Sequence, residues 1–287
     1  MSGERLAVSG KSKKSANGPL IAATARVFFC LLVLPLTAYG SPLTAVQIQD
    51  NSFLIEEAYN QERGVVQHIS TFGLGSDAWA YSFTQEWPLG GIRNQLSYTL
   101  LVENPDGFGT GIGDVALNYR YQLVGDPEAA TVFAPRLSLL LPTGDYEEGR
   151  GAGAVGLQTN LPLSLVLAPK VVTHWNAGAR VTPSAKSPLG DEATATSFNL
   201  GGSAIWLLQP SFNLMVEALW LSTASVVSAG QTAREESFLL NPGIRGAFNL
   251  ANDLQIVPGL AYTFNLGPDD GEDVLFVYLS FEHPFKR

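Results

Sequence analysis

Residues 112–123 read I-G-D-V-A-L-N-Y-R-Y-Q-L and alternate almost without fault. Asp114, Ala116, Asn118, Arg120 and Gln122 point one way, and Val115, Leu117, Tyr119, Tyr121 and Leu123 the other. A period of two with one apolar face is that of a β-strand; a helix would repeat its apolar positions at three and four. In a soluble sandwich the apolar face meets a second sheet. In a membrane barrel it meets lipid, and the polar face lines an interior.

The pattern recurs downstream. Twelve strand candidates are predicted over residues 64–72, 78–87, 94–103, 112–123, 131–141, 153–165, 170–181, 197–208, 212–223, 236–248, 253–264 and 273–283. Their lengths suit tilted crossings of a bilayer, which take about 9–11 residues each. Apolar positions such as Trp79, Tyr81 and Phe83, or Phe198, Leu200 and Trp206, fall on every second residue. The joins separate the two readings. Those at 88–93, 124–130, 166–169, 209–211 and 249–252 are compact, whereas those at 104–111, 142–152, 182–196, 224–235 and 265–272 are longer. With twelve strands, the compact joins share an end with both termini, as periplasmic turns do in outer-membrane barrels. The join at 73–77 is the short exception on the other side. The expected fold is an all-β, antiparallel transmembrane barrel in the bacterial outer membrane.

Composition agrees with that. The 287 residues are 46% hydrophobic and 15% charged, with 29 Gly and 17 Pro, as a folded, turn-rich chain requires. Residues 1–40 read as a cleaved signal peptide: Arg5, Lys11, Lys13, Lys14 and Arg26 precede the apolar run 27–36, and Ala38 and Gly40 supply small residues at the cleavage site. Cys30, the single cysteine, lies inside that run, so the mature chain has no disulfide. Five of the 17 basic and one of the 26 acidic residues precede Ser41. The remainder therefore carries 12 against 25, and nucleic acid is not an expected partner.

Residues 41–63 are expected to form a periplasmic or lumenal segment ahead of a barrel over 64–287. Within it, the spacing of Leu54 with Ala58 and Ile55 with Tyr59 permits a short helix capped by Asn51 or Ser52, or equally a strand. Trp87, Tyr121, Trp175, Trp206, Trp220 and Phe264 lie near predicted strand ends, as girdles at the two membrane surfaces would. The last strand, running through Phe276, Tyr278 and Phe281 to Phe285, has the aromatic character that barrel assembly machinery reads, with Lys286 and Arg287 beyond it.

Several segments carry a family resemblance. F-L-I-E-E-A-Y-N-Q-E from Phe53, V-V-Q-H-I from Val65, F-T-Q-E-W-P-L from Phe83, Q-L-S-Y-T-L from Gln95, G-I-G-D-V-A-L-N-Y-R-Y-Q from Gly111 and L-P-T-G-D from Leu141 resemble the outer-membrane family of MetA-type phenol-degradation-pathway transporters. The resemblance implies a Gram-negative outer-membrane barrel admitting small aromatic or hydrophobic compounds. It brings no catalytic or binding residues with it.

Chemistry is therefore sought in the lumen. The alternation places Glu86, Asp114, Arg120, Arg136, His174, Arg180, Glu217 and Arg245 on the polar face as lumen-lining candidates. Opposite charges there would pair, because an isolated charge away from bulk water is costly. Such a network would either select solutes or fill a closed, structural barrel. Leu207, Met215, Leu219 and Leu221 interrupt the polar face, as a greasy patch or a shift of register would. The enzyme reading rests on a Ser-His-Asn set from His174, Asn176 and Ser164 or Ser203, which no spacing singles out. Gly-rich turns at 107–111 and 149–153 lie outside any strand-to-helix context, and three histidines without cysteines give no zinc spacing, so no enzyme, cofactor or metal is expected. Residues 269–273 form an acidic cluster where a cation and lipopolysaccharide could meet, or a solvated loop.

Overall fold

The computed structural model describes residues 52–126, 129–268 and 271–284. The predicted signal peptide, Asn51, most of the acidic cluster's aspartates and the end of the last strand lie outside the described residues. Twelve staves stand in one antiparallel sheet: β1 Val65–Leu74, β2 Trp79–Pro88, β3 Asn94–Asn104, β4 Val115–Tyr121, β5 Thr131–Phe133 with Arg136–Leu141, and β6 Gly156–Asn160 with Leu163–Ala168. They continue with β7 Val171–Lys186, β8 Glu192–Gln209, β9 Phe212–Ser228, β10 Gln231–Gly246, β11 Gln255–Asn265 and β12 Val274–Pro284. The sheet closes on itself, β1 pairing antiparallel with β12 from Val65↔Pro284 to Leu74↔Leu275. Closure removes both edges, which a spanning sheet needs because lipid offers no partner for an unpaired N–H or C=O.

The two faces identify the solvent on each. Outward, Leu117, Tyr119, Leu137, Leu139, Leu157, Trp175, Phe198, Leu200, Trp206 and Leu260 are exposed. Inward, Gln67, Gln95, Asn118, Arg120, Ser138, His174, Glu217, Asn241 and Arg245 are buried. Among the described residues no second sheet covers the apolar face, and the one sheet closes on itself, so the sandwich reading is eliminated. This is a bacterial outer-membrane barrel, polar within and apolar towards lipid.

Four predicted strands are interrupted, that over 236–248 only at Ala247, after which Phe248–Asn249 pairs with β11. Pro135 and Pro162 have no N–H to give to a ladder, so β5 and β6 break beside them, and Ala134 N–H bridges the gap to the Pro162 carbonyl at 3.1 Å. The opening stretch breaks too: Gly111–Ile112 pairs with β3, but Asp114 turns aside to the loop after β5 before the strand resumes at Val115.

Two of the predicted long loops are strand instead. Residues 182–196 and 224–235 continue β7 to Lys186, start β8 at Glu192, continue β9 to Ser228 and start β10 at Gln231. Their Thr, Ser, Val and Ala residues keep the alternation going above the membrane, and Gly190 (φ 85°) and Gly230 (φ 72°) make the tight reversals. Tall hairpins therefore stand on one side of the extracellular end. At the other end the joins stay compact, and both the start of β1 and the end of β12 lie there. Trp220 stands opposite Phe238 and Leu200, four residues before β9 leaves the membrane at Ala224.

Candidate functional site

Residues 52–62 are neither helix nor strand. The helix that the spacing permits does not form, because the N–H groups of this segment are taken by wall side chains and not by carbonyls four residues back. Phe53, Leu54 and Ile55 all donate to one carboxylate oxygen, Oε1 of Glu217 on β9, at 3.0, 2.8 and 2.9 Å. Three consecutive amides converging on one oxygen form a backbone nest, suited to an anion. Further along, Glu56 N–H donates to Asn176 Oδ1, Ala58 to Ser164 Oγ, Asn60 to Gln122 Oε1 and Gln61 to Gln95 Oε1. The segment thus crosses the lumen on side chains from β9, β7, β6 and β3 and from the end of β4.

Charge adds to this grip. Arg120, 2% exposed, donates to Asn60 Oδ1 (2.8 Å), to the carbonyls of Glu57 and Tyr59 and to Glu56 Oε1 (3.2 Å), with Glu86 Oε2 at 3.8 Å. Arg136 Nε reaches both Glu56 oxygens at 3.0 and 2.9 Å, and Asn160 Nδ2 donates to Glu56 Oε2 at 2.8 Å. Burial alone would raise the Glu56 pKa, but Arg136 and then Arg120 outweigh it and hold the carboxyl below its ordinary value. Its neighbour Glu57 goes the other way: burial raises it, and the more distant Arg120 does not compensate.

Shape completes the fit. An added Cβ at Gly243 or Gly259 would collide with the Phe53 ring, and one at Gly201 with Ile55 Cδ1. The absent side chains leave sockets, one holding Phe53 against Phe276 and Tyr278 (ring centroids 5.6 and 5.2 Å), the other holding Ile55 beside Leu219. The segment's other end is also greasy: Ala58 and Tyr59 pack on Val132 and Ala134 at the β5 break.

Above the segment the lumen opens. A cavity of about 490 Å³ has Glu56, Glu57, Arg120 and Arg136 in its lining. Hydroxyls of Thr71, Ser82, Thr84, Ser97 and Thr99 line one wall, and Phe53, Ile69, Phe276 and Tyr278 another. A second cavity of about 410 Å³ lies at the extracellular end under the loop after β5, where Asp114 accepts from Gly144 and Ala152 N–H at 3.1 and 2.8 Å.

Of the predicted lumen residues, Arg120, Arg136 and Glu217 touch the segment directly, and Glu86 approaches it through Arg120 and Gln95. Asp114 and Arg180 line the upper cavity away from it, Asp114 holding a loop. Arg245 is buried at the periplasmic end, opposite Asn213 and Gly259. His174 is fully buried, its Nδ1 2.7 Å from Ser164 Oγ, while that same oxygen accepts the Ala58 amide. Asn176 of the imagined catalytic set accepts the Glu56 amide and donates to the Glu56 carbonyl at 2.7 Å. Ser164 and Asn176 are thus engaged with the segment directly, and the His174 ring meets the Tyr59 ring edge-on with centroids 6.0 Å apart. Glu56, Glu57, Asn60, Gln61, Gln95, Gln122 and Ser164 were not among the charged candidates, although alternation puts the wall members among them on the polar face.

A family profile described as "Putative MetA-pathway of phenol degradation" matches residues 49–278. No curated protein matches the chain by sequence. Among solved structures, the chain is similar to the COG4313 outer membrane channel from Pseudomonas putida F1, at 13% identity and a TM-score of 0.61, over 79% of this chain and 97% of that one. It is also similar to the NanC porin, at 12% identity and a TM-score of 0.48, over 77% and 100% of the two chains. The first likeness shows a shared fold.

Proposed function

This chain belongs to the MetA-pathway phenol-degradation family, and from that membership and the occupied lumen we propose a gated outer-membrane channel for small hydrophobic or aromatic solutes. Residues 52–61 act as its plug. The observation that carries this reading is the manner of docking: an irregular backbone held by individual side chains, with cavities of about 490 and 410 Å³ on its extracellular side. A solute entering from outside meets the hydroxyl wall and the aromatic wall of the 490 Å³ cavity before it meets the plug. That pairing suits a ring carrying one or two polar groups. The barrel works without catalysis or cofactor, among lipid and lipopolysaccharide, after insertion by the barrel assembly machinery.

A second reading has its own support. All three guanidinium nitrogens of the buried Arg120 are engaged, which suits a permanent filling in a structural or surface-interaction barrel. Planar-bilayer recording separates the two, using the chain from Ser41 with and without residues 52–61. A gated channel gives rare current steps that become frequent and larger in the deletion, and vesicles bearing it take up phenol faster than a sugar of similar mass. A folded deletion variant that stays electrically silent and excludes phenol contradicts the channel.

A further inference from the structure

Outside the lumen, on the lipid-facing side of the seam that closes the barrel, two of the three histidines face each other. His68 of β1 and His283 of β12 have their Nε2 atoms 3.2 Å apart and their rings nearly parallel, at 18°. Register explains the meeting. His283 stands opposite Val66, and His68 two residues further along the same face, so the pair is a diagonal cross-strand one. Its depth is that of the periplasmic membrane surface, beside Gln85, whose Oε1 accepts the Tyr98 hydroxyl at 2.8 Å, and the Trp87–Tyr98 ring contact. Water reaches this level, and polar atoms are tolerated there.

The tautomer of His283 follows from its other contact. Nδ1 lies 3.2 Å from the Pro284 carbonyl oxygen, which can only accept, so Nδ1 carries the proton and Nε2 presents its lone pair towards His68. A second hydrogen bond that fixes the ring and frees the opposite nitrogen is the usual companion of a metal-ligating histidine. The spacing also fits. Two nitrogens each about 2.0–2.1 Å from a tetrahedral zinc lie roughly 3.3 Å apart. Bringing both lone pairs onto one ion takes a turn about χ2, a broad torsion in histidine.

We propose that His68 and His283 form a two-histidine site for a divalent transition-metal ion of the zinc or copper class, with water completing the coordination, and that the ion clasps the first stave to the last. Imidazole pairs favour these ions over calcium or magnesium. The site sits where clasping has leverage: the β1–β12 seam joins the first stave to the last, and without it the barrel is an open sheet. Binding to the closed barrel alone raises its resistance to unfolding by mass action.

The test uses the full barrel in detergent, without a polyhistidine tag, titrated with zinc chloride at pH 7.5 in a calorimeter. One ion per barrel is expected, with at least a tenfold loss of affinity in H68Q and in H283Q. Saturating zinc should raise the temperature at which the folded gel band is lost by roughly 5 °C in the parent and not in either variant. Both substitutions lie on the outer surface and leave the ladder intact, and the folded gel band confirms folding before titration. Equal affinity in parent and variants, or no heat up to millimolar zinc, overturns the proposal.

Discussion

The two halves of the lumen are made by the same twelve staves and the same alternation, yet one is filled and the other open. In the filled half, inward side chains meet a second stretch of backbone: Glu217, Asn176, Ser164, Gln122 and Gln95 each receive an amide from residues 53–61. In the open half, inward side chains meet one another across the ladder, as Thr71 does Ser82 at 2.7 Å and Thr84 does Thr99 at 2.8 Å. The difference lies in what the residues can reach. Long amides and carboxylates extend into the middle of the barrel and support an irregular chain there, whereas short hydroxyls satisfy themselves along the wall and leave space. Non-helical backbone at membrane depth is tolerated only with such partners.

Breaking the filled half at its strongest point should have the largest effect. In E217A three consecutive amides and the Asn241 side chain lose their acceptor. Hydrogen bonds to a charged group contribute about 1.5–3 kcal/mol each but share one oxygen here, so roughly 3 kcal/mol is expected, about a hundredfold in the docked population. Single-channel recording should show the silent barrel become a conducting one. E56A comes next. It strands Arg136 and Arg120, but Glu56 keeps 22% of its side chain open to the cavity, where water screens the pair. The loss should be about 2 kcal/mol, read as shorter closed times.

A smaller effect follows from acidity. Docking lowers the Glu56 pKa, so its contribution is complete above the undocked value, near 4.5, and is lost as pH falls through the lowered one. Docking raises the Glu57 pKa, so its contribution is complete below the undocked value and is lost as pH climbs through the raised one. Plug retention should therefore peak near pH 4.5, measured as open probability across pH 3–8, and E57Q should flatten the limb above the peak. The smallest effect belongs to the open half. T84V removes one hydroxyl partner in the 490 Å³ cavity and should change plug retention by less than about 0.5 kcal/mol, while altering the rate of phenol uptake.

The wall was legible in the sequence because its information is local. Val115–Tyr121 declares its two faces in seven residues, and the compact and long joins order the staves. The same local reading stopped too early at residues 182–196 and 224–235, where polar strand above the membrane resembles loop composition. It ran on through Pro135 and Pro162, where a missing N–H breaks the ladder. The lumen was less legible because its contacts are distant. Leu219 and Met215 read as a greasy patch or a shift of register on a polar face; both are buried there, and Leu219 lies beside Ile55, a residue 164 positions away in sequence. Gly201, Gly243 and Gly259 carry no signal in their own strands, since their meaning is the space that Phe53 and Ile55 occupy. Charged residues drew the search for a site, while half of the grip is neutral Asn, Gln and Ser.

The central claim is that passage through the barrel requires the segment 52–61 to leave its seat. Ser52 Oγ donates to Ser203 Oγ on β8 at 2.6 Å, which makes this pair suited to a reversible covalent lock. In an E217A background carrying S52C and S203C, single-channel conductance would be recorded first oxidised and then after addition of a reductant. The account predicts a silent barrel when oxidised and discrete current steps on reduction. Steps of equal size and frequency in both states, with the cross-link verified, would contradict it.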